Sequence, residues 1–111
     1  MIRVNITALS TTSGRVTIEN LSNGQSGGKR LGSVYPICQE NAEWIVEDYS
    51  DYKGNLLPFA NFTTVTFDNA MAIGNGSTYT PDGAAIFDIQ QNGQTLTSVS
   101  THGSSVTITY V

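Results

Sequence analysis

Apolar and polar side chains alternate with a period of two along most of this chain. That constrains the fold more than any other feature, because a period of two marks a β-strand with one covered face and is incompatible with a helical stripe. Ile2, Val4, Ile6 and Ala8 alternate with Arg3, Asn5 and Thr7, which predicts a half-buried strand. Val16 and Ile18 alternate in the same way within residues 15–20, and Val106, Ile108 and Tyr110 alternate with Thr107 and Thr109. Residues 41–48 read as a further strand, and Phe62-Thr63-Thr64-Val65-Thr66-Phe67 is rich in β-formers. Asn23-Gly24 is a turn signal, and Gly27-Gly28 predicts a mobile loop. Asn92-Gly93 lies between the β-rich stretches 84–90 and 95–100, the strongest short-range hairpin signal. No segment sustains a period of 3.6. The expected fold is all-β, with short strands arranged as a sandwich or barrel.

A chain of 111 residues has room for one domain, and no low-complexity tract or linker divides it. Charged residues make up 13%, well below the ~25% of ordinary soluble domains; Ser, Thr, Asn and Gly fill the gap. The net charge is −4, and the five Lys and Arg are scattered along the sequence. No phosphate-binding stripe is legible, which argues against a nucleic-acid partner. So few cations leave the chain near neutral at low pH, compatible with an acidic working environment. No apolar run approaches the ~18 residues that span a bilayer, so no membrane partner is expected. The N-terminal residues alternate and lack the continuous apolar stretch of a signal peptide. Four N-x-Ser/Thr sequons, at Asn5, Asn20, Asn61 and Asn75, lean weakly toward a secretory history.

The stretch with chemical content is Asn41-Ala42-Glu43-Trp44-Ile45-Val46-Glu47-Asp48. On a strand Ala42, Trp44 and Val46 point to one face, the core, and Glu43, Ile45 and Glu47 to the other. Two glutamates around an isoleucine fit the floor of a cleft. They equally fit a plain solvated face, where charged residues usually sit, and the pattern alone leaves both readings open.

The octapeptide resembles the active-site strand of the fungal glutamic peptidases, the eqolisins. The similarity continues through Leu57-Pro58-Phe59-Ala60-Asn61-Phe62 and Val65-Thr66-Phe67. It is also found at Val16-Thr17-Ile18-Glu19-Asn20-Leu21 and at Gly103-Ser104-Ser105-Val106-Thr107-Ile108-Thr109-Tyr110. The resemblance implies a two-sheet antiparallel β-sandwich of the concanavalin A-like type, here an incomplete one. It implies an acid-acting, secreted endopeptidase whose catalytic glutamate is Glu47 and whose substrates are proteins or peptides, with no metal or cofactor. A glutamate near its own pKa takes a proton from water and returns one to the leaving amine, and a glutamine amide donates to the developing oxyanion.

The family's glutamine lies in an N-terminal half that this chain does not match. Gln25, Gln39, Gln90, Gln91 and Gln94 sit in no corresponding motif, so only Glu47 carries over. Cys38 is the single cysteine. It occupies a position whose equivalent in some members pairs with a cysteine of that half; a lone buried thiol is the alternative. Residues 1–111 are therefore expected to be the C-terminal half of a glutamic peptidase domain, either truncated or acting beside a separate N-terminal half. His102 reads as a surface loop residue, Asp82 and Asp88 as turn residues. Tyr49 and Tyr52 flank any cleft at Glu47. Two other classes stay open: a β-sandwich binding module without catalysis, and a jelly-roll glycosidase. The latter also places two glutamates four residues apart, but usually with an aspartate where this chain has Ile45.

Overall fold

Every strand pairing in the computed structural model, which describes residues 1–111, is antiparallel, and no residue is helical. This is the all-β class that the alternation predicts. The chain forms two compact units, Met1–Asn41 and Ala42–Val111.

In the first unit β1 (Ile2–Ser10), β2 (Ser13–Asn20) and β3 (Gln25–Gly32) form one sheet in the order β1-β2-β3. Gly24, at φ 74°, closes the β2–β3 turn that Asn23-Gly24 announces. Two expectations fail here. Gly27 and Gly28 lie inside β3, paired with Ile18 and Thr17, and form no loop. A Cβ on Gly28 would meet the Val16 carbonyl oxygen at 3.1 Å, so glycine here serves close backbone approach. The β1 strand also forms as expected but is not half-buried: Ile2 is 57% and Ile6 75% exposed. The register puts Ile2, Val4, Ile6, Val16, Ile18 and Leu31 on one face, and no second layer of this unit covers it.

On the opposite face Arg3 lies across from Glu19, and their side chains form an ion pair at 3.3 Å. Further along, Arg15 pairs across from Arg30 on this face, whereas Lys29, opposite Val16, belongs to the apolar face. Cations that are scattered in sequence are thus gathered by strand pairing, and like charges directly opposite oppose it.

In the second unit β4 (Thr64–Phe67), β9 (Thr97–His102) and β10 (Ser105–Tyr110) form a sheet in the order β4-β10-β9. The hairpins β5–β6 (Ala72–Gly74, Ser77–Tyr79) and β7–β8 (Gln90–Gln91, Gln94–Thr95) stand beside it in sequence. Because β10 is central, its inward Val106 and Ile108 are buried and, with Ala70, form the core. Its outward Thr107 and Thr109 meet Thr66 and Thr64, hydroxyl to hydroxyl, at 3.3 Å. Asn92 and Gly93 both have positive φ, 52° and 76°, as a type I′ hairpin turn needs. Asn75-Gly76 repeats the device between β5 and β6. Of residues 84–90, read from sequence as β-rich, only Gln90 joins a strand, and residues 84–89 pair with none. They are tied instead by buried Thr97, whose Oγ1 accepts from the Ile89 N–H at 2.8 Å and donates to Asp88 Oδ1 at 3.3 Å.

Candidate active site

Residues 41–48 form no strand, contrary to the expectation from sequence. A strand exists only through its ladder, and no neighbouring backbone in this chain pairs with them. The alternation survives without the ladder from residue 43 onward, while Ala42, expected to face the core, is exposed. Trp44, Val46 and Asp48 are half-buried, while Glu43, Ile45 and Glu47 are exposed. Trp44 and Val46 pack against the Ala70, Val106 and Ile108 core together with Phe62, Phe67 and Val99. That anchor fixes which way the backbone faces, and Glu47 is turned outward as a result. Ile45, between the glutamates, is 60% exposed, an apolar side chain left in solvent on the same side as both carboxylates.

Directly after Glu47 the chain makes a short hairpin-like loop. Ser50 bridges to Leu56, the Asp51 N–H donates to Asn55 O at 2.9 Å, and the Leu57 N–H donates to Tyr49 O at 3.1 Å. At its turn Asp51 Oδ1 accepts from the N–H groups of Lys53 (2.8 Å) and Asn55 (2.9 Å), and Oδ2 accepts from Asn55 Nδ2 (3.0 Å). The Asn55 side chain first, then its backbone N–H and those of Lys53 and Gly54, hold the Asp51 carboxyl below its ordinary value. Tyr52 is 92% exposed at the tip, with Lys53 Nζ 5.4 Å from its ring centre. Beyond the loop, Phe59 stacks on Tyr110 and both meet Phe62 edge to face, at centroid distances of 5.7 to 6.4 Å, which ties the chain back to β10.

The base of the loop is held by Gln91. Its Nε2 donates to Asp48 Oδ1 (3.0 Å) and Oδ2 (3.3 Å) and to Leu57 O (2.9 Å). An amide has two N–H bonds, and both are engaged. Gln91 is therefore the glutamine brought nearest to Glu47 in the bonding network, yet it has no free donor for an oxyanion. Nothing in the sequence links positions 91 and 48; the nearest signal is the Asn92-Gly93 turn that presents Gln91.

The remaining candidates lie elsewhere. His102 is exposed at the end of β9. Asp82 accepts from the Gly103 N–H at 3.0 Å, and Asp88 bonds to Thr97, so both order the chain around turns. Cys38 is exposed and unpaired, which sets aside the buried-thiol alternative. No group of three or more His, Cys, Asp or Glu is disposed to hold a metal.

The Peptidase A4 family profile matches residues 1–110. The chain is 47% identical to aspergillopepsin-2 of Aspergillus niger over 99% of its own length and 39% of the relative's. It is 35% identical to scytalidopepsin B of Scytalidium lignicola, again over 99% of this chain, and 45% of that one. It thus spans less than half the length of these relatives. Among solved structures, the crystal structure of aspergilloglutamic peptidase from Aspergillus niger superposes with a TM-score of 0.81 over 100% of this chain and 66% of that one. A member of the eqolisin family in complex with the tripeptide Ala-Ile-His superposes at 0.79, with 35% identity over 99% of this chain and 59% of that one. The chain shares the antiparallel β-sandwich fold class of these neighbours.

Proposed function

Because the chain belongs to the peptidase A4 family, we propose that it is the C-terminal half of an acid-acting, secreted glutamic endopeptidase, with Glu47 as its catalytic residue. The observation that carries the reading is the anchoring of Trp44 and Val46 on the core, which turns Glu47 out of the protein beside an ordered loop. A carboxylate in that position takes a proton from an attacking water as it adds to the peptide carbonyl. It then returns a proton to the leaving amine. The oxyanion needs an amide donor, and since both hydrogens of Gln91 are engaged, that donor comes from the N-terminal half of the family's domain, which this chain does not match. The same half covers the bare apolar face of β1–β3. Substrates are peptides, in keeping with the tripeptide bound to one structural relative. The family match removes the ground for a jelly-roll glycosidase.

The test is acid proteolysis of an unfolded protein substrate by the 111-residue chain. It is measured alone and after mixing with the portion of the Aspergillus niger relative that this chain does not span. The chain alone is expected to be nearly inactive, since loss of one oxyanion donor costs ~10²–10³ in turnover. The mixture recovers activity, and Glu47→Gln abolishes it. Full activity of the chain alone, or of the mixture carrying Glu47→Gln, overturns this reading. A mixture that binds peptide at acid pH but never cleaves it favours the binding module.

A further inference from the structure

We infer that Gln91 is a positioning residue for Glu47, joining the β7–β8 hairpin to both ends of the loop that leaves the catalytic segment. The inference rests on the reading of Glu47 as catalytic and deepens it. Glu47 is exposed, and no neighbouring strand pairs with its backbone, so its direction is set by what holds the residues on either side. On the N-terminal side that is the packing of Trp44 and Val46. On the C-terminal side it is Asp48, whose side chain has Gln91 as its hydrogen-bonding partner.

The Gln91 amide is well suited to this. It is half-buried, and its backbone is fixed by pairing with Gln94 across a tight turn. One amide hydrogen is shared between the two carboxylate oxygens of Asp48, and the other reaches the Leu57 carbonyl. Asp48 lies just outside the Tyr49–Leu57 backbone bond, and Leu57, whose N–H makes that bond, lies just outside the Ser50–Leu56 bridge. The side chain therefore closes the loop at its neck. A bond to a charged group is stronger than one between neutral groups, and here it adds to the Tyr49–Leu57 backbone bond and the Ser50–Leu56 bridge. With the neck closed, the peptide plane between Glu47 and Asp48 keeps one orientation. A misplacement of about 1 Å at a reacting group can cost 10²-fold in rate, so the grip has a catalytic consequence without touching substrate.

Gln91→Met keeps the length and bulk of the side chain and removes both donors, and it separates this role from packing. In the full 111-residue chain, amide hydrogen exchange at Asp51 and Leu57 should rise about tenfold or more, as expected when a local opening becomes easier. Amides of the β9–β10 ladder should be unchanged. Unaltered exchange at Asp51 and Leu57 overturns the proposal, and so does an equal rise everywhere, which means general destabilisation. In the reconstituted mixture, Gln91→Met should lower kcat about tenfold or more with KM within about threefold. Unchanged kcat while Glu47→Gln is inactive overturns the positioning role alone. A Glu47→Gln mixture that stays active overturns the reading of Glu47 and the catalytic part of this inference with it. The exchange measurement still judges whether Gln91 holds the loop.

Discussion

Gln91 Nε2 lies 3.0 Å from Asp48 Oδ1, a contact between residues 43 positions apart that joins the hairpin at Asn92-Gly93 to the residue after Glu47. Its partner at the other end of the same loop is local, with Asp51 gathering the Lys53 and Asn55 N–H groups. The loop beside Glu47 is therefore ordered from both ends, by a long-range amide at the neck and a carboxylate at the turn.

Protonating Asp51 should loosen the turn. Its carboxyl is held below the ordinary value of 3.8 by hydrogen bonds, the Asn55 side chain first. A depressed pKa in the folded state means that the carboxylate's contribution is fully present above the unfolded value. It is lost as pH falls through the folded one. Amide shifts of Lys53 and Asn55, followed by NMR through the acid range, should move together with a midpoint below 3.8. In Asp51→Ala that transition should vanish. A midpoint above 3.8, or a transition that persists in Asp51→Ala, contradicts the assignment.

The bare face of β1–β3 should drive self-association. Ile6 is 75% exposed and lies on the edge strand β1 opposite Val16, within the apolar face, and patches of this kind on edge-bearing sheets attract partners. Sedimentation of the 111-residue chain at roughly 100 μM, within the range where exposed apolar surface aggregates, should show species larger than the monomer. Ile6→Lys should reduce them while changing stability by no more than about 0.5 kcal/mol, the usual range for an exposed site. A monomeric parent chain would remove the basis for a missing cover.

The strands with a built-in partner were legible from sequence. Asn92-Gly93 specifies its turn, the Thr-alternating β10 pairs on both sides, and β1 and β2 keep the apolar alternation read from sequence. What alternation cannot state is whether a face or an edge finds something to lie against. Ile2 and Ile6 alternate as a covered strand would yet stay in solvent, and residues 41–48 alternate as a strand would yet make no ladder. Gly27-Gly28 misleads for a different reason: flexibility in the free peptide is overridden when Thr17 and Ile18 offer a ladder. At the candidate site the octapeptide marks Glu47 and the direction of Trp44, both local properties. The Gln91–Asp48 contact depends on how two loops meet and leaves no trace in spacing. The same holds for Arg15 and Arg30, brought opposite each other only by the β2–β3 register.

Trp44 offers a direct check on the direction of Glu47, since it is the single tryptophan. It is half-buried against Val106, Ile108 and Ala70, while Glu47 is exposed three positions further on. Its emission in the folded chain should therefore lie to the blue of the urea-unfolded chain, with partial access to a neutral quencher. Ile108→Val removes one methyl from the core cluster against which Trp44 packs and costs about 0.5–1.5 kcal/mol, little enough to leave the chain folded, and it should shift the emission. Glu47→Gln alters a group on the other side of the backbone and should leave the emission where it was. If the two substitutions move the spectrum equally, Trp44 and Glu47 share an environment, and the outward placement of the carboxylate is wrong. If neither the folded spectrum nor its quenching differs from the unfolded chain, Trp44 is not anchored, and nothing in this segment fixes the direction of Glu47.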